Sequence, residues 1–539
     1  MFQLHIHRQR QNRLHISGYC LPLNLNPLHS NMKSILTFFA GIFCMLLPLA
    51  AQTLDEQLQT IYTQYNLAGM SVAVIKDKQV VFSKGYGWAN IAGNIAASDS
   101  TVYRIASVSK MVTAIGFMQL YQQGLVDLDQ NIGQILGFPV TNPYFPAQNI
   151  TPRMLLSHTS SLTDGAAYDN FLTATYNQTP PPPVYQLLTD TGAYYQTSLF
   201  LNKQPGTWFQ YANINYGIIG TLIEKLSGQR FDQYMQQHVL EPLGINTGYN
   251  VYNLPDAGKL AVLYRKQSGN WVPQADNYNG TLPPEPDMSG YVIGSNGLRY
   301  APQGGLRISA PDMAKINILL LNNGSYNGAA LLTEASAQLM KTVQWTYNGT
   351  NGNNYYNLFN SWGLGLQRTT NTANADIVCP DVPMWGHAGE AYGLVSDSFF
   401  SDEEQTGIVF ITNGCGIGYT TPANSAFYEV EAAVFNAVCT QLPFLEAEPP
   451  VGILPPHNYP PEPGEDLAVI TLNGGWQITN NMAQVVPAQL MAINGSTAGH
   501  FSFAPGLTHL VDNRNLAKGI YLLQWKTAGK TRSIKVVKF

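Results

Sequence analysis

Ser107-Val108-Ser109-Lys110 sets a hydroxyl and an amine three residues apart. On a helix, residues i and i+3 share a face, so the lysine amine can stand beside the serine hydroxyl. A serine hydroxyl is a weak nucleophile unless a base adjoins it, and a lysine becomes that base only when burial or a neighbouring cation lowers its pKa. The run that follows, Met111-Val112-Thr113-Ala114-Ile115-Gly116-Phe117-Met118, is apolar nearly all round and predicts a buried helix. Its first turn would hold both residues in a dry place, with backbone N–H groups aimed at a developing oxyanion. Taken alone, the tetrapeptide has a plainer reading as a helix start with Ser107 or Ser109 as N-cap. Tyr211 and Asn213 stand two apart ahead of an apolar stretch. A phenol can relay protons and an amide can hold a carbonyl or an amine; a packed tyrosine and a capping asparagine is the plainer reading. His158, at a helix end, reads as structural, satisfying last-turn carbonyls. No C-x-x-C or H-E-x-x-H spacing occurs, so no metal site and no cofactor is expected.

These residues need elements to position them. Residues 54–65 read as an opening helix, and the runs at 71–75 and 80–82, split by Lys76-Asp77-Lys78-Gln79, read as a hairpin. The helix carrying Lys110 should stop near Gly124. Thr151 and Pro152 cap a short helix that leads to His158. Residues 164–204, rich in Tyr, Thr and Asn and containing Pro180 to Pro183, read as an insertion with an extended polyproline stretch on the rim of a cleft. The stretch after Asn213 is expected as a helix ended by Ser227-Gly228, and residues 313–321 as another. Trp362-Gly363-Leu364-Gly365-Leu366 reads as a glycine-broken strand and residues 407–412 as a buried one. A last helix is expected over 423–439. Eight prolines between 443 and 464 mark a semi-rigid linker, residues 442–466. Residues 467–539, short apolar runs split by Gly-containing turns, read as a small β-sandwich ending in a hairpin.

The remaining composition bounds the setting. At 539 residues the chain exceeds one ordinary domain. A net charge of −5 without basic runs gives no reason to expect nucleic acid as a partner. Met32-Lys33, the apolar run from 35 to 49 and Ala50-Ala51-Gln52 form the pattern of a secretory signal peptide at 32–51, too short a run for a stable membrane span. Residues 1–51 are therefore set apart from the fold, with Met32 the expected start. Cys379, Cys415 and Cys439 then remain, an odd number whose spacing chooses no disulfide.

Ser107-x-x-Lys110, Tyr211-x-Asn213 and His387-x-Gly389, in that order, resemble the serine β-lactamase-like superfamily, in the branch of class C β-lactamases, D-Ala-D-Ala carboxypeptidases, D-aminopeptidases and related esterases. Leu155-Leu156-Ser157-His158-Thr159-Ser160, Pro205-Gly206 and Gly304-Gly305-Leu306 are similar to that family too, while Ser161 stands where it usually has glycine. The resemblance covers roughly residues 54–440 of a domain set at 52–441. It implies an α/β (α+β) fold, an antiparallel sheet flanked by helices beside a helical subdomain. It further implies Ser107 as the acylated nucleophile, Lys110 and Tyr211 jointly as the proton-transfer pair, and Asn213 orienting Lys110 and the substrate carbonyl. His387 stands where many members have lysine. The oxyanion hole would be the backbone N–H groups of Ser107 and of Glu390, the residue after Gly389. Residues 467–539 resemble the sorting domain of type IX secretion, on the Gly-Ile-Tyr-Leu-Leu run, the Gly-Lys turn and the Ile-Lys-Val-Val-Lys ending. That resemblance implies export through the periplasm, release or surface attachment, and the export machinery as a partner; a generic β-sandwich binding module is the alternative.

Members that bind a carboxylate usually follow the lysine or histidine of the third motif with a hydroxyl residue, and here Ala388 follows His387. A Glu390 carboxylate close by would repel a substrate carboxylate. The expected activity is thus a secreted serine hydrolase acting on a neutral ester or amide, or on a small-molecule or peptide substrate with a free amine. A β-lactamase or penicillin-binding carboxypeptidase is the alternative among enzymes, and an inactive surface binding protein the alternative outside them.

Overall fold

A computed structural model of the chain describes residues 52–446, except 283, and the strands with some short connections between 467 and 538. The expected signal segment and most of the linker lie outside the described residues. The chain divides into two compact units, Met1–Ala447 and Glu448–Phe539.

The first unit is built on one antiparallel sheet. Helix α1, Leu54–Gln64, opens it: Thr53 accepts the Glu56 N–H while Glu56 accepts the Thr53 N–H, a reciprocal cap that satisfies two orphan donors. Strands β1, Gly69–Lys76, and β2, Gln79–Asn90, form the expected hairpin. Helix α2, Ser109–Gln122, follows and is buried from Ser109 to Leu120, as its apolar circumference predicts. Helix α3, Asn213–Ser227, ends at Gly228 with φ 68°. Helix α4, Ala310–Leu321, starts from a Ser309 cap. Strands β3, Trp385–Ala391, β4, Leu394–Ser401, and β5, Thr406–Thr412, precede helix α5, Glu429–Gln441. The sheet runs from three short strands at 345–346, 361–362 and 367–368 through β3, β4, β5, β1 and β2 to a short edge at 95–96. β1 pairs with β5 in the register Met70↔Thr412 to Ile75↔Gly407, so the two ends of the unit meet in mid-sheet.

Alternation along the strands gives the sheet two faces. Val72 and Val74 of β1 share a core with Leu58 of α1 and Val434 of α5. Ala73 and Ile75 point the other way, into the larger core that holds α2, α3 and α4. This is the mixed architecture that the resemblance implies, a sheet covered by helices on both sides with a helical body beside it.

Three expectations need correcting. Residues 164–204 are not an extended surface insertion throughout, although Tyr176 lines a cavity. They contain a helix at Ala166–Asn177 whose Tyr168, Phe171 and Leu172 enter the larger core, as do Leu187 and Leu199. The spacing 167, 168, 171, 172, 174, 175 is a helical stripe that the polar composition masks. The last helix begins at Glu429 rather than 423, because Ser425 accepts the Phe427 N–H in a turn and Glu431 caps the helix from Tyr428. Ser107 is not in the first α-helical turn either. Ala106–Val108 form a separate single 3₁₀ turn, with Ala106 at φ 44°.

The second unit has two antiparallel sheets, one of three strands and one of four. Leu467 and Ile478 from the first pack with Val486, Leu490, Tyr521, Leu523 and Val536 from the second, which makes a small sandwich. The terminal hairpin pairs Gly519–Thr527 with Lys530–Lys538.

A disulfide joins Cys379 to Cys439 across 60 residues, and Cys415 is free and buried. It ties α5 to the loop ahead of β3. Closing a loop of that length restricts the unfolded chain, so Cys439→Ser should lower unfolding free energy by about 2–4 kcal/mol. Urea denaturation of wild type and variant checks this; coincident midpoints would refute it.

Candidate active site

The 3₁₀ turn bearing Ser107 is pinned from three sides. Ser396 of β4 donates from Oγ to the Ile105 carbonyl at 2.9 Å, and the Ile105 N–H donates to the Leu306 carbonyl at 3.0 Å. The Leu306 N–H in turn donates to Ser109 Oγ at 3.1 Å. β3 closes the remaining side, and it can do so only because residue 389 is glycine. A Cβ there would lie 2.8 Å from the Ile105 carbonyl oxygen and 3.1 Å from the Ser107 nitrogen.

Lys110 is fully buried, and its Nζ has three oxygen neighbours: Ser107 Oγ at 2.9 Å, Asn213 Oδ1 at 2.9 Å and the Gln303 carbonyl at 2.7 Å. Two of these can only accept. A neutral amine has two N–H bonds and one lone pair, so donation to Asn213 and Gln303 leaves the lone pair directed at Ser107 Oγ. Burial pulls the Lys110 pKa down to about 7, against the Asp164 carboxylate, which holds it up. Near neutral pH a large fraction of the amine is therefore free to take a proton. The Tyr211 hydroxyl shares a hydrogen bond with the Ser107 side chain, and burial raises its pKa, so it stays protonated. Its ring lies 4.9 Å from Lys110 Nζ.

Asp164 is the site residue that sequence reasoning missed. Its Oδ2 accepts from the Asn213 backbone N–H and from Asn213 Nδ2, both at 2.8 Å, and its Oδ1 accepts from the Ile214 N–H at 3.0 Å. The carboxylate thereby caps α3 from another loop. Because Asn213 Nδ2 is committed to it, Oδ1 must face Lys110. Nothing local to Leu162-Thr163-Asp164 announces this; the pairing spans 49 residues.

His158 does not satisfy helix carbonyls as expected. Its φ is 56°, and its ring lies inward among Phe209, Tyr211, Tyr216 and Trp362, with Nδ1 accepting from the Ala212 N–H at 3.2 Å and facing Asn215 Nδ2 at 3.1 Å. It sets the entry to α3. Ser161, also at positive φ (66°), accepts from Asn142 Nδ2 at 2.7 Å; the left-handed backbone explains why glycine suits the position.

His387 lies on the same sheet face as the Ser107 turn. It pairs with Ser398, whose hydroxyl donates to Asn317 of α4. Its ring centroid is 5.9 Å from Tyr211 and 5.3 Å from Trp362. Nδ1 bonds the Ala388 carbonyl, which only accepts, so Nδ1 carries the hydrogen. Burial pulls the pKa down to about 3, leaving a neutral ring whose Nε2 presents a lone pair with no protein partner among the described residues. Glu390 is different. It pairs with Val395, on the face that packs against α1 and α5, and its Oε2 accepts from the Tyr428 hydroxyl at 2.7 Å. The expected repulsion of substrate by the Glu390 carboxylate is therefore withdrawn: period-two alternation sends that side chain away from His387.

Comparison with known proteins places the fold that carries these residues. The Beta-lactamase family model matches residues 50–421. Protein flp of Staphylococcus aureus (strain MW2) is 28% identical over 193 residues, 36% of each chain, so the matched stretch spans about a third of that relative. The octameric penicillin-binding protein homologue from Pyrococcus abyssi superposes with a TM-score of 0.54 at 17% identity, over 90% of this chain and 96% of that one. The D-amino acid amidase from Ochrobactrum anthropi SV3, solved with L-phenylalanine, gives 0.50 at 18% identity over 72% and 99%. At these identities the two structures speak for the fold alone.

Asp164→Ala should lower kcat/KM by about a hundredfold, because the Asn213 amide is then free to turn. It should also cost about 1–3 kcal/mol of stability for the N–H groups left unpaired. Losing the anion removes what holds the Lys110 pKa up, so the acid limb of the pH profile should shift below its wild-type midpoint near 7. A pH–rate series on both proteins tests this; an unmoved or raised midpoint would refute it.

Proposed function

The chain belongs to the Beta-lactamase family, whose members act as serine hydrolases, and we propose that it is an exported hydrolase that cleaves an ester or amide through an acyl-enzyme on Ser107. The observation that carries this is the buried Lys110 amine, 2.9 Å from Ser107 Oγ with its other neighbours both acceptors. Ser107 Oγ attacks the substrate carbonyl and its proton passes to Lys110. Tyr211, which keeps its own proton at neutral pH, relays rather than abstracts, and delivers a proton to the leaving group. The backbone N–H groups of Ser107 and Glu390 receive the oxyanion. Water then attacks the acyl-enzyme by the reverse relay, releasing the acid and restoring Ser107.

His387 supports a leaving portion that donates hydrogen bonds. Its Nε2 lone pair accepts an N–H or an ammonium and meets a carboxylate with repulsion. A neutral ester or amide, or one bearing a free amine, fits this side better than a β-lactam or a peptide C-terminus. Export is supported by the signal-like pattern at 32–51 and by the Cys379–Cys439 disulfide, a bond that persists in oxidising compartments. The sandwich at 467–538 is read as a sorting module for the export machinery, left behind or removed when the enzyme reaches the surface or the medium.

Intact-protein mass spectrometry of the secreted form, wild type and Ser107→Ala, after exposure to a fluorophosphonate, a penicillin and p-nitrophenyl butyrate, tests the reading. The expected result is a fluorophosphonate adduct and ester turnover in wild type, both reduced at least about a thousandfold in Ser107→Ala, with no penicillin effect. A lasting penicilloyl adduct or rapid penicillin hydrolysis would make it a penicillin-binding enzyme or β-lactamase. Absence of labelling in folded protein would leave the surface-binding reading. A mature C-terminus between 440 and 465 is expected, and an intact tail on the exported protein would refute the sorting role.

A further inference from the structure

A cavity of about 230 Å³ opens along the 300–307 loop that holds Lys110. Its wall includes Tyr300, Ala301 and Arg307, which flank Gln303, the residue whose carbonyl holds Lys110. Its near edge is Arg104, three residues before Ser107, on a short strand paired with Arg307–Ile308. Arg104 Nε donates to the Gly304 carbonyl at 3.0 Å, and its guanidinium lies 5.1 Å from the ring of Tyr392, just past β3. Gly304, which accepts from Arg104, lies against the residue before the serine, a Cβ there falling 3.6 Å from the Ala106 carbonyl, so the Arg104 edge of the cavity approaches the Ser107 turn although Ser107 is not among the lining residues.

The charges in it do not balance. The lining holds three guanidinium groups, Arg104, Arg299 and Arg307, and one carboxylate, Glu285. Arg307 is buried and met by both oxygens of Asp276, at 2.7 and 3.1 Å. Glu285, at the exposed side, lies 3.9 Å from Arg230, which is itself held by Asp232 at 2.6 Å. Arg104 and Arg299 form no ion pair among the described residues, and both keep part of their surface open. Arg299 spends one weak bond, 3.4 Å, on the Tyr176 carbonyl. The hydroxyl of Tyr300 is buried without a hydrogen-bond partner. Rings and a thioether, from Tyr176, Tyr249 and Met288, supply apolar walls.

We propose that this cavity is a specificity subsite that takes a carboxylate carried on a short chain of the substrate while the scissile carbonyl sits at Ser107. The inference rests on the hydrolase reading and deepens it. A guanidinium fork matches a carboxylate in shape as well as charge; Arg299 keeps most of that capacity unspent, while Arg104 spends part of it on the Gly304 carbonyl and the Tyr392 hydroxyl. His387, on the other side of the nucleophile turn, has only a lone pair to give. Recognition of an anion is therefore assigned to the arginine cavity and not to the third motif, and the substrate class is an ester or amide whose acid-bearing arm ends in a carboxylate.

The test compares kcat/KM for mono-p-nitrophenyl glutarate with that for p-nitrophenyl butyrate, in wild type, Arg299→Gln and Arg299→Glu, with thermal unfolding to verify each fold. The expected wild-type preference for the glutarate ester is about tenfold or more at low salt, shrinking as added salt screens the site. Arg299→Gln should reduce that ratio about tenfold, and Arg299→Glu should bring it below one. A wild-type ratio at or below one, or a ratio unmoved by both substitutions, would overturn the proposal. Calorimetric titration of free glutarate separates it from the hydrolase reading. If neither ester turns over and Ser107 stays unlabelled, glutarate binding that Arg299→Gln abolishes would still support the anion site, and absence of binding would overturn it.

Discussion

The structure depends on one buried amine. Lys110 has no access to water, and removing a lysine from water strongly disfavours its charged form. The protein answers by surrounding Nζ with oxygens that suit a neutral amine as well as an ammonium: an amide oxygen and a backbone carbonyl that accept, and a serine hydroxyl that can accept from an ammonium or donate to the free amine. Each of these oxygens comes from a different part of the chain. Helix α2 supplies Lys110 and the turn before it Ser107; the first residue of α3 supplies Asn213; the loop before α4 supplies Gln303. The large core that buries α2 on every side is what keeps this arrangement dry. Asp164 sets the remaining degree of freedom, since an amide can present either its oxygen or its nitrogen, and only one of them leaves the lysine lone pair to the serine.

The sheet contributes sidedness. On β3, His387 and Gly389 face the nucleophile turn, while Ala388 and Glu390 face α1 and α5. The cross-strand partner of Gly389 is Ser396, which bonds the carbonyl of Ile105. The strand that carries the imidazole therefore also packs against the turn that carries Ser107, and a methyl group at 389 would force the two apart. Arg104 and Arg299, near the same turn in the chain and its neighbouring loop, form no ion pair among the described residues, and the His387 ring is buried.

Much of the framework was legible in the residues. The apolar circumference of α2 predicts its burial, since a helix without a polar face has no side to turn to water. Thr151 with Pro152 and the Gly228 stop mark helix ends by local chemistry that needs no partner. Ser107, Lys110, Tyr211, Asn213 and His387 stand out by type and spacing, and the fold brings them together. The helix at 166–177 was present as a period but hidden by polar composition. The pairing of Cys379 with Cys439 could not be read, because three cysteines permit several partners and only proximity in space selects one.

What tertiary structure alone decided has a common physical cause: direction and desolvation are properties of neighbours far away in sequence. The Gln303 carbonyl that takes a hydrogen bond from Lys110 is a backbone group, present at every residue and unmarked by side-chain type. Asp164 reads as one more loop carboxylate until α3 is docked against it. Glu390 follows the third-motif glycine as closely as sequence can place it, yet strand alternation turns its carboxylate to the opposite face. The sequence determined which groups could react and which helices would be buried; the packing determined which lone pair faces which proton.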